Sequence, residues 1–102
     1  VTVRFLPAGE EREPDPPRVA LAVGRRVGPA VVRNRVRRRL REAMRAIVAT
    51  GNVRSGAYLL GADPDIVGLS FQEVVQHVED ALRSTGALRD PLSAQNGPEK
   101  PL

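Results

Sequence analysis

Residues 29–48 constrain this chain more than any other stretch, because their periodicity suits one helix with two chemically opposed faces. At 100° per residue, Val32, Val36, Leu40, Ala43, Met44 and Ile47 fall within a sector of about 120°. Asn34, Arg35, Arg37, Arg38, Arg41 and Arg45 lie on the other side, interrupted by the single acid Glu42. Arg33 and Arg39 sit on the borders of the apolar stripe, where an aliphatic stem can lie on a core while the guanidinium reaches water. One face is built to dock on protein. The other suits something densely negative, and a polyphosphate backbone fits that description best.

The rest of the chain sharpens this contrast. Residues 25–45 hold nine of the sixteen bases against one acid, a local charge of +8, whereas the remainder carries −4. A basic patch on a mildly acidic body points to a localised polyanion site rather than a diffusely adhesive surface. Glu42 alone is available for i, i+4 pairing, and like charges spread along about 30 Å of helix repel one another unless an anion is supplied. A helix of the membrane-surface or calmodulin-target kind would carry Trp or Phe on its apolar side, and this one carries neither.

With 102 residues the chain is expected to form one small domain. Aromatic residues make up only 3%, so the core must be built from Val, Leu, Ala and Ile. The absence of cysteine excludes a disulfide framework and a thiolate metal site. No apolar run approaches the length of a membrane span and nothing resembles a signal peptide, so a cytoplasmic protein is expected.

Alternation of apolar residues predicts a strand over residues 1–6, followed by a Pro-rich connector with four acids over 7–17. A second strand is expected over 18–24, where Ala20 and Ala22 would let a helix approach closely. Gly28-Pro29 opens the basic helix, with Pro in its first turn, and Thr50-Gly51-Asn52 closes it. Residues 57–61 (AYLLG) form a short apolar run, read as a strand buried on both faces. Ser70 and Glu73 are spaced as a capping box. Val74, Val75, Val78 and Leu82 follow Phe71 at helical spacing, and this second helix should end near Thr85-Gly86. The resulting order is β-β-α-β-α, with a domain over 1–86 and a mobile tail over 87–102.

Candidates for covalent chemistry are few. His77 falls on the polar flank of the second helix without the partner and pocket that acid–base work requires. Asp63-Pro64-Asp65 is ordinary turn chemistry rather than a metal pair, and residues 24–28 lack the spacing and the Lys-Ser/Thr of a phosphate loop. No catalytic or metal-ligating side chain is expected on this chain.

The string AVVRNRVRRRLREA over residues 30–43 resembles the signature of the bacterial ribonuclease P protein component. An Arg-Asn-Arg step (Arg33, Asn34, Arg35) is followed by two basic residues, Arg37 and Arg38, and by another, Arg41, one turn later. Residues 19–28 (VALAVGRRVG) look like that family's strand entering a basic pair and a glycine, and the likeness extends to the strand at 57–61 and the helix from Ser70. The resemblance implies an α+β fold, a small two-layer α/β sandwich with a left-handed βαβ crossover through the basic helix, an exception to the usual hand.

It also implies a function. The chain would be the protein subunit of the ribonuclease P holoenzyme, an endoribonuclease that removes the 5′ leader of precursor tRNA, with catalysis residing on the RNA subunit. Its partners would be that catalytic RNA, in a 1:1 complex, and the leader itself. Mg2+ would be held mainly by RNA. Arg33, Asn34, Arg35, Arg37, Arg38 and Arg41 would contact RNA, with Arg25 and Arg26 beside them and Arg45 on the same face. A structural RNA-binding protein of ribosomal type is the alternative. A DNA-binding regulator would want a helix-turn-helix and a dimer surface; neither is visible, and neither DNA nor a membrane is an expected partner. Two departures from the family pattern stand out. The family begins with an additional helix bearing aromatic residues, so a segment ahead of Val1 is expected to be missing, and Asp63 stands where the family often has a basic residue.

Overall fold

A computed structural model describes residues 1–7 and 17–88. Three strands and two helices follow one another as β1 (Thr2–Pro7), β2 (Arg18–Ala22), α1 (Ala30–Val48), β3 (Gly56–Gly61) and α2 (Phe71–Ser84). Short 3-10 turns at Arg25–Val27 and Pro64–Gly68, which have too few residues to show a period, precede α1 and α2.

The sheet has the order β1-β3-β2, with β3 in the centre. β1 runs antiparallel to β3 and sets Val3 against Leu60 and Phe5 against Tyr58. β2 runs parallel to β3, with Val19 beside Tyr58 and Leu21 beside Leu60. A parallel pair cannot be closed by a tight turn, and α1 supplies the crossover. Because side chains alternate along each strand, Val3, Phe5, Tyr58, Leu60 and Leu21 share one face, and the core lies between that face and the helices. Tyr58 stacks on Phe5 with ring centroids 4.8 Å apart and donates its hydroxyl to the Arg54 carbonyl.

The other face of the sheet is uncovered among the described residues. Leu6 is 69% exposed and Leu59 40%, and Ala20, Ala22 and Ala57 are exposed as well. This corrects two sequence expectations. β3 is buried on one face only, because both helices pack on the same side, and Ala20 and Ala22 point away from α1 rather than receiving it.

The apolar stripe of α1 packs as its periodicity requires: Val36, Leu40, Ala43, Met44 and Ile47 are buried. They meet Val74, Val78 and Leu82, each fully enclosed on α2. The capping box forms in both directions. The Glu73 N–H donates to Ser70 Oγ at 3.1 Å, and the Ser70 N–H donates to Glu73 Oε1 at 2.8 Å. Ala87, placed with the tail on sequence grounds, is fully buried; its carbonyl accepts from the Arg54 N–H at 2.9 Å, and Leu88 bridges to Val53. Residues 89–102 lie outside the described residues, as does most of the acidic connector.

Ser70→Ala should remove the side-chain half of this cap at a cost of about 1 kcal/mol, read as a drop of about 5 °C in melting temperature. The hydrogen bonds from Ser70, backbone first and hydroxyl second, hold the Glu73 carboxyl below its ordinary range. A depressed carboxyl stabilises the fold above its unfolded-state value and loses that contribution as pH falls through the folded value. The penalty of Ser70→Ala should therefore shrink in acid. A penalty equally large at pH 7 and pH 3 would contradict the coupling of the two side chains.

Candidate nucleic-acid interface

The positive face is assembled from the turn before α1 and from α1 itself. Gly28, at φ +152°, takes the backbone from the 3-10 turn into the helix; a side chain there would be strained and would meet Val32 Cγ1 at 3.1 Å. Pro29 is the N-cap, one position ahead of the first turn in which it was expected. This geometry sets exposed Arg25 and Arg26 just before the N-terminus of α1. No acid occupies the first helical turn, so the positive end of the helix dipole adds to their charge.

The two border arginines prove to be fasteners. Arg33 Nε donates to the Gly28 carbonyl at 3.1 Å and ties the turn to the helix. Arg39 Nη1 donates to the Leu69 carbonyl at 2.8 Å and ties α1 to the residue before the α2 cap. Of the residues singled out for RNA contact, Arg33 thus has one donor committed to the fold. Arg37 Nη1 donates to Asn34 Oδ1 at 2.9 Å, which engages the amide oxygen and leaves the Asn34 NH2 as the group to offer a ligand.

Arg35, Arg38, Arg41 and Arg45 are exposed. Among the described residues the only ion pairs join the Val1 ammonium to Asp63 and Arg83 to Asp80, so no acid neutralises α1, Glu42 included. With Arg25 and Arg26 just ahead of the helix, these four give six exposed cationic groups that pair with no acid among the described residues. The arrangement can hold several phosphates at once. His77, Asp63 and Asp65 are all exposed but are not brought together: His77 lies on α2 beside β1, and Asp63 takes the Val1 ammonium. No group of three His, Asp or Glu side chains converges among the described residues. No helix there is long and apolar enough to cross a membrane.

Anions that bind this face should stabilise the fold, because a ligand of the folded state alone shifts the unfolding equilibrium by mass action. Sulfate and pyrophosphate are expected to raise the melting temperature, and NaCl at equal ionic strength to raise it much less. Equal shifts in all three salts would show that the row of arginines is only a solvated surface.

The described residues thus form a two-layer α/β domain that presents one face of exposed arginines, paired with no acid among them. Residues 1–86 match the family described as Ribonuclease P, and the chain belongs to that family. It is 39% identical over 89 residues to the ribonuclease P protein component of Thermus aquaticus, a match covering 87% of this chain and 49% of that protein. With that of Symbiobacterium thermophilum it shares 43% over 75 residues, covering 72% and 64%. The chain thus spans about half the length of the Thermus aquaticus relative. The solved structure of the Staphylococcus aureus RNase P protein shares its fold, with a TM-score of 0.68 at 20% identity over 85% of this chain and 75% of that one.

Proposed function

We propose that this chain is the protein subunit of a ribonuclease P, joining a catalytic RNA to the 5′ leader of precursor tRNA. The observation that carries the reading is the set of exposed arginines on α1, unpaired among the described residues, which includes Arg35 of the Arg-Asn-Arg step. Each exposed guanidinium can engage a phosphate bidentately and release condensed counterions. A local charge of +8 between two RNAs offsets the repulsion that magnesium would otherwise have to screen. In this reading the magnesium is held mainly by the RNA, and the protein lowers the amount needed.

The uncovered sheet face suits the leader. There Arg4 stands beside Leu59, and Arg18 beside Ala57, so an extended strand meets cationic groups at both sides of a shallow apolar surface. Cleavage of a precursor tRNA by the RNA subunit, with and without the protein at low magnesium, tests the proposal. The protein should accelerate cleavage severalfold or more at low magnesium and progressively less as magnesium rises. An RNA-binding protein of purely structural type would bind and leave the rate unchanged, which would refute the reading.

A further inference from the structure

Between the C-terminal half of α1 and the outer edge of β2 lies a groove of about 390 Å3, lined by Pro17, Val19, Arg41, Met44, Arg45 and Val48. Nothing in the family signature or the helical periodicity marks it, because Val19 comes from a different element from the arginines. Its floor is apolar. Val19 remains 38% exposed, an unusual state for a valine on the inward face of a sheet. Its rim carries two exposed guanidiniums one helical turn apart, neither paired with an acid among the described residues.

We propose that this groove receives a single extruded base of the partner RNA, its flanking phosphates held by Arg41 and Arg45. The inference rests on the reading that α1 faces RNA and adds what that reading does not contain, a site for a base. Three features favour a nucleotide over other occupants. A strand that follows the arginine row must pass the mouth of the groove, since Arg41 and Arg45 belong to both. Two cations that pair with no acid among the described residues, set over an apolar floor, match a ligand with anionic groups flanking a flat, poorly hydrated ring. The groove volume lies at the lower end of the range of about 300–1,000 Å3 found for small-ligand pockets.

No aromatic side chain lines the site, so the ring is held otherwise. Guanidinium planes stack on exposed bases, and the buried Met44 backs the apolar floor. Val19 and Val48 complete the apolar surface.

Two single-stranded RNAs of about ten nucleotides, one normal and one abasic with the same sugar–phosphate chain, provide the test at one fixed salt concentration. The normal strand should bind about tenfold more tightly. Val19→Ser should collapse that ratio to about twofold while leaving the affinity for the abasic strand unchanged, and Val19→Leu should keep the ratio. Melting curves of both variants confirm that they fold. If Val19→Ser fails to fold, Val19→Thr, which keeps the shape, takes its place. Equal binding of the two strands would overturn the base site and leave the phosphate face standing. A ratio that Val19→Ser leaves unaltered would overturn it too, as would self-association of the protein abolished by that substitution, since a second copy would then fill the groove. Failure to bind either strand or the RNA subunit would overturn the RNA reading itself.

Discussion

Leu40→Ala should cost about 2–5 kcal/mol, and most of a small domain's stability can disappear with that one side chain. Leu40 is completely enclosed on the stripe of α1, in the same core as Leu60 and Leu82. Its removal forfeits the transfer energy of three carbons and leaves a cavity that the helices cannot close without breaking their own packing. Urea denaturation should show a lower midpoint with an unchanged slope, because the surface exposed on unfolding stays nearly the same. Val31 is the internal control. It lies on the same helix but is 73% exposed, and Val31→Ala should stay within about 0.5 kcal/mol. If the two substitutions cost the same, α1 does not present the face on which both the core and the arginine row depend.

That dependence explains how much could be read in advance. The stripe and the arginine face are one statement about a 3.6-residue period, so the buried set Val36, Leu40, Ala43, Met44 and Ile47 was legible directly. The capping box was legible because both partners lie within one turn. What escaped was decided by contacts distant in sequence. Residues 57–61 are apolar at nearly every position, which says nothing of how many faces are covered; the shared side of the two helices leaves Leu59 half in water. Arg39 looked like one more border arginine until the fold brought the Leu69 carbonyl, thirty residues away, to its guanidinium. Ala87 gave no periodic signal at all, and its burial comes from packing and from the pairing of its neighbour with Val53. The base groove depended on β2 meeting the flank of α1, a tertiary event without a local motif.

Replacing Arg35, Arg38, Arg41 and Arg45 together by Ala should weaken binding of the RNA subunit by about a thousandfold or more, taking about 1 kcal/mol or more for each contact. All four are exposed and make no hydrogen bond or ion pair among the described residues. The fold should therefore survive, and the melting temperature should hold or rise as mutual repulsion is relieved. Arg33 and Arg39 behave differently. Each donates to a backbone carbonyl, so Arg39→Ala should lower stability as well, and a loss of affinity in that variant would not by itself report an RNA contact.

The dependence of affinity on salt measures most directly whether α1 meets phosphate. Binding of the RNA subunit, followed across about 0.1–0.5 M KCl, should give a logarithmic slope near −5 for the wild type, as about six to eight neutralised phosphates require. The fourfold arginine variant should flatten it to about −2. The same slope in both proteins would mean that these arginines face only water, and the account of this molecule as an RNA partner acting through α1 would be wrong.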